Sequence, residues 1–158
     1  MFRPAVPSML LALWGVGPCS RPPDDTAALT LALRHGIQLA QSGEAGHVDA
    51  FCLASADSPD SLVNALIFAA LSDHLPPVYP ASDCHRDPSF GGYRIVGTPL
   101  RAALVWARLI DHESGGRAVE LGFNAGPLAA AAYTCRFRRT RSGWEIDPCT
   151  LYSIEKSQ

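Results

Sequence analysis

Within this chain of 158 residues, the side chains best equipped for chemistry are the five cysteines and the charged neighbours of one of them. Asp83-Cys84-His85-Arg86-Asp87 puts two carboxylates, an imidazole and a thiol into five consecutive positions. Taken singly, those groups suit a metal site or a Cys/His nucleophile. Adjacent side chains diverge, however, and the spacing matches no metal signature, so the run reads as a solvated polar loop carrying one half-cystine at Cys84. Asp111-His112-Glu113 offers an acid/base pair but stands before the Gly115-Gly116 turn, where polar residues serve to face water. Asp73-His74 closes a helix, a place where imidazole complements the dipole. An acid/base pair drawn from distant positions, such as His74 or His112 with Asp83, is neither excluded nor indicated, and His35 and His47 have no partner nearby in the chain. No catalytic residue, cofactor motif or metal site is therefore assigned.

The remaining cysteines are read through the N-terminus. Arg3 gives a positive start, Met9 to Val16 is an apolar run of export-signal length, and Gly15 to Ser20 is small and turn-prone. The apolar run is too short to span a bilayer as a helix. Residues 1–23 are thus expected to be a signal segment, and 24–158 a single exported domain of the periplasm or cell envelope. Cys19, after Val16-Gly17-Pro18, stands where a lipobox cysteine would. It is a lipidation candidate, although Pro18 departs from the small-residue pattern and favours plain secretion. Membrane contact is expected only if Cys19 is lipidated. In an oxidising compartment Cys52, Cys84, Cys135 and Cys149 are disulfide candidates rather than reactive thiols.

About 135 mature residues suffice for one core. Thirteen Lys plus Arg against fifteen Asp plus Glu give a near-balanced charge, which points away from nucleic-acid partners. The cluster Arg136, Arg138, Arg139 and Arg141 reads as a solvated strand face.

Helix signals open the domain. Asp24-Asp25-Thr26 caps a run with Leu29, Ala32, Leu33, Gly36, Ile37 and Ala40 at helical spacing. His47 to Ala54 is a short strand or an irregular connector. Ser58, Pro59 and Asp60 open a second helix with a buried stripe of Leu62, Val63, Leu66, Ile67, Ala70 and Leu71, ended by Pro76-Pro77. Val78 to Gly92 reads as a long surface loop with a short strand near Tyr79. Beyond it the period becomes alternating: Tyr93 to Val96, Arg117 to Asn124, and a hairpin of Ala129 to Arg139 with Trp144 to Tyr152. Ala102 to Ile110 is ambiguous because Thr98-Pro99 also resembles a helix start, and a strand is favoured there, with one helical turn allowed at Pro99.

A two-residue turn at Ser142-Gly143 gathers Tyr133, Cys135, Phe137, Trp144, Ile146, Pro148 and Tyr152 on one face but turns Cys149 to the other. A three-residue turn opposes Cys135 to Cys149 but sets Phe137 against Asp147. Pro148 is placed to break the ladder and rotate Cys149 back. The pairing of the four cysteines stays open among three connectivities.

Two N-terminal helices on a curved antiparallel sheet form an α+β domain. Arg117 to Leu121, Ala132 to Phe137 and Gly143 to Ile146 resemble the end of cystatin-like domains of the nuclear transport factor two type, over roughly residues 93 to 154. The resemblance implies a cavity between sheet and helix, used in such domains for small-molecule binding, isomerase or dehydratase chemistry, or assembly. The segment from Val78 to Gly92 departs from that family, and none of its catalytic residues match here. The leading expectation is a non-catalytic domain that binds an envelope protein or a small apolar ligand, inhibitor or immunity proteins being one form. Tyr79, Phe90 and Tyr93 are its contact aromatics. The alternative is a small cavity enzyme doing acid/base chemistry on an apolar substrate.

Overall fold

In the computed structural model, residues 24–42, 47–55, 61–73, 76–111, 117–147 and 149–153 are described. The export segment with Cys19, the Ser58-Pro59-Asp60 cap, His74 and His112 lie outside them.

Asp24 starts the first helix, α1 (Asp25–Ser42), by accepting the Ala27 N–H on Oδ1 at 2.8 Å. Ala28, Leu29, Ala32, Leu33, Gly36, Ile37 and Ala40 fall at helical spacing and are all buried. They pack on β5 (Arg101–Asp111) and β6 (Arg117–Gly126), which with β7 (Ala129–Arg139) make the antiparallel ladder that the alternating pattern requires.

The first half of the domain departs from the expected order. β1 (Ala50–Ser55) lies between the two helices in sequence and pairs parallel to β5, from Ala50 opposite Ala102 to Ser55 opposite Ala107. After α2 (Ser61–Leu71) the chain returns to β1 as β2 (Val78–Pro80), also parallel. The sheet is therefore mixed rather than antiparallel, and only α1 precedes it. The cause is visible in β1 itself. Phe51 and Leu53 belong to the core under the helices, while Ala50 and Cys52 belong to a second apolar cluster with Ile95 and Ala102. A strand buried on both faces shows no alternation, so it does not announce itself in the sequence.

On α2 the buried stripe also differs from expectation. Ile67 and Leu71 are buried and Phe68 packs on the core, but Leu66 and Ala70 point outward. The side chains of Leu62 and Val63 lie outside the described residues.

Residues 78–92 are strand-rich rather than a loop. A 3-10 turn (Ala81–Asp83) leads into β3 (Cys84–Asp87), which forms a hairpin with β4 (Gly92–Ile95). Gly91 closes the turn at φ 73°, a conformation that glycine adopts without a steric penalty. The Thr98-Pro99 pair initiates no helical turn: Thr98 Oγ1 donates to Ile95 O at 3.1 Å and accepts from Leu100 N at 3.3 Å, fastening a turn between β4 and β5.

At the C-terminus, β8 (Trp144–Ile146) and β9 (Thr150–Ser153) both pair with β7. The loop between β7 and β8 is Thr140-Arg141-Ser142-Gly143, longer than either turn weighed above, and it opposes Arg139 to Trp144 and Phe137 to Ile146. β9 then runs one register step away, with Thr134 opposite Thr150.

Candidate functional site

Two disulfides organise the domain: Cys52–Cys84 and Cys135–Cys149. The first ties β1 to the β3–β4 hairpin, and the second ties β7 to the chain entering β9. Two crosslinks in so small a domain fit an oxidising, exported environment.

The sequence-derived contact aromatics do not gather into one patch. Tyr79 and Tyr93 are half-buried and pack on the second apolar cluster around Cys52 and Cys84. Phe90, also half-buried, lies against two guanidinium groups, Arg94 at 5.3 Å and Arg101 at 4.9 Å from the ring centroid. Asp87 completes this cluster. Hydrogen bonding by Ser89, whose N–H donates to Oδ1 at 2.8 Å, and by Arg94 Nε holds the Asp87 carboxyl well below the usual aspartate range. Of the Asp83 to Asp87 run, Cys84 is therefore oxidised, Asp87 is engaged within its hairpin, and His85 and Arg86 are exposed. Among the described residues no group of His, Cys, Asp and Glu converges as metal ligands would.

Between the helices and the sheet lies an apolar core with Leu29, Leu33, Ile37, Phe51, Ile67, Val105 and Leu121 at its centre, and among the described residues it buries no charged side chain. At the end of β1 the Ser55 Oγ is buried without a hydrogen-bond partner.

Two surface features stand out chemically. One is the outer face of α2, where Ala65, Leu66, Ala69 and Ala70 are exposed, Leu66 at 52%. The helix, Ser-Leu-Val-Asn-Ala-Leu-Ile-Phe-Ala-Ala-Leu, carries no charged residue although only one of its faces reaches the core. That uncharged composition is the sequence signal for this face, masked by the helical spacing that groups Leu66 with the buried residues. The other is a groove of about 250 Å³ between α1 and β8, lined by Leu31, Arg34, His35, Gln38, Trp144, Glu145 and Ile146. The four α1 residues share one face of the helix, but β8 brings Trp144 to them only through tertiary packing, which no local pattern reveals.

The fold and these features define a two-disulfide α+β domain with a curled, mixed sheet. No family model, curated protein or solved structure matches the chain.

Proposed function

We propose that this domain serves in the bacterial cell envelope as a non-catalytic binding module, docking a protein partner on the outer face of α2. The observation that carries this reading is the exposed, uncharged surface of Ala65, Leu66, Ala69 and Ala70. A soluble helix with one buried face ordinarily carries charge on the other. Contiguous exposed apolar surface marks interaction sites. The lack of a buried titratable side chain among the described residues supports a binding module over a cavity enzyme, because acid/base chemistry on an apolar substrate needs such a group facing an enclosed space.

The curled sheet packed on α1 also supports kinship with cystatin-like domains at the level of architecture. The parallel β1–α2–β2 unit is a departure from it.

The test compares the mature protein with its Leu66→Glu variant in affinity capture from envelope extracts. Leu66 is half-exposed, so the charge is tolerated by the fold within about 0.5 kcal/mol. Docking on α2 requires that one envelope protein be recovered with the parent chain and lost by roughly tenfold or more with the variant. Equal recovery by both, or recovery of nothing under mild conditions, would sink the reading.

A further inference from the structure

We propose that the groove between α1 and β8 is a second, separate site, and that it binds a single sugar ring bearing a carboxylate, a pyranose of the uronic acid type. Its volume of about 250 Å³ lies just below the ~300–1,000 Å³ of sites for drug-sized ligands, which suits one ring rather than a chain.

Chemically, the lining combines a flat aromatic surface with a rim of mixed hydrogen-bonding character. Trp144 is half-buried beside Leu31 and Ile146, with the Arg139 guanidinium over its ring at 5.8 Å from the centroid, and the negative face of the indole turned away from Arg139 attracts the weakly positive C–H groups on one side of a pyranose. Arg34 is exposed and uses one N–H on Ala70 O at 3.3 Å. A guanidinium has five donors, so enough remain for a carboxylate to bind in bidentate fashion. Gln38 offers both a donor and an acceptor, and His35 adds a ring nitrogen, as vicinal hydroxyls require.

Side chains alternate along β8, so with Trp144 and Ile146 turned to α1 the Glu145 carboxylate is on the other face, where Thr140 Oγ1 at 3.2 Å, Ser142 Oγ at 3.3 Å and Arg138 Nη2 at 3.5 Å engage it. The hydroxyl partners at the groove are therefore Gln38 and His35. A simple aromatic acid would use Trp144 and Arg34 and leave Gln38 unmatched.

The experiment is an NMR titration of the oxidised full chain with glucuronate, using glucose, acetate and benzoate as comparators. The expected result is a saturable shift of the Trp144 indole N–H and the amides of Leu31, Arg34, His35 and Gln38, with a dissociation constant on the order of 1 mM for so open a site. Glucose should bind roughly tenfold more weakly, and Arg34→Gln should weaken glucuronate binding by a similar factor. Because Arg34 is exposed, that variant tests the site even if Trp144→Ala perturbs the fold. Leu66→Glu should leave the titration unchanged, so failure here and failure of the α2 reading are separable. The proposal is overturned if glucuronate produces no saturable shift at these residues, if acetate or benzoate reproduces it at equal affinity, or if Arg34→Gln has no effect.

Discussion

Cys135 and Cys149 face one another across β7 and the start of β9, one register step away from the ladder that pairs Phe137 with Ile146. Their Cα atoms are 4.3 Å apart, the spacing of directly opposed, non-hydrogen-bonded positions in an antiparallel pair. The step reconciles two demands that no single hairpin register meets. Phe137 and Ile146 reach the core side in the first register, and the cysteines meet in the second.

Non-reducing peptide mapping of the oxidised protein should therefore recover Cys52–Cys84 and Cys135–Cys149 and neither alternative connectivity. Replacing Cys135 and Cys149 by Ala together should destabilise the domain by about 3 kcal/mol, since their separation of 14 residues closes a loop of that order. The longer loop of the first bridge, 32 residues of separation, gives about 3–4 kcal/mol for the paired Cys52 and Cys84 replacements. Urea unfolding of each double variant checks both figures. A loss below about 1 kcal/mol would contradict this role for the bridge.

Gly36 marks the closest approach of α1 to the sheet. A Cβ built there would lie 2.8 Å from Val105 Cγ1, and valine has little rotamer freedom with which to yield. Gly36→Ala should destabilise by about 1–2 kcal/mol despite the ~1 kcal/mol gain in helix propensity. In a Val105→Ala background the same substitution should become neutral or stabilising. A double-mutant cycle by chemical denaturation measures the coupling, and purely additive effects would refute the contact.

Asp87 gives the hairpin a pH dependence of defined sign. Its carboxyl is held below the usual range by Ser89 and then Arg94, so its contribution is fully present above the unfolded-state value of about 3.9 and is lost as pH falls through the lower folded-state value. The stability difference between the parent chain and Asp87→Asn should stay constant from neutral pH to about pH 5, then shrink at more acidic pH. A difference that widens on acidification would contradict this arrangement.

How far the sequence disclosed all this depends on where each element's signal lies. α1, β6 and β7 carry their own periodicity, and their positions follow from Leu29, Leu33 and Ile37 on one side and Val119, Leu121 and Phe123 on the other, whereas the β5 segment is ambiguous behind the helix-like start Thr98-Pro99. β1 was ambiguous because burial on both faces erases alternation. The β3–β4 hairpin resembles a loop in sequence because Pro88 and Gly91 look like breakers; its pairing comes with the Cys52–Cys84 bridge and the packing of Phe90 against Arg94 and Arg101. Tyr79 and Tyr93 have the chemistry of contact residues, yet both pack on the second apolar cluster with Cys84. Leu66 and Ala70 fall at helical spacing with Ile67 and Leu71, so apolar periodicity alone does not separate the exposed pair from the buried one.

The most direct measurement of docking on α2 is site-specific photo-crosslinking in intact cells, with a photoreactive residue in place of Leu66. A control position at Arg141, on the exposed β7–β8 loop, reports non-specific proximity. A partner seated on α2 yields one discrete crosslinked protein from position 66 and none from position 141. No adduct at position 66, or the same adducts from both positions, would contradict it.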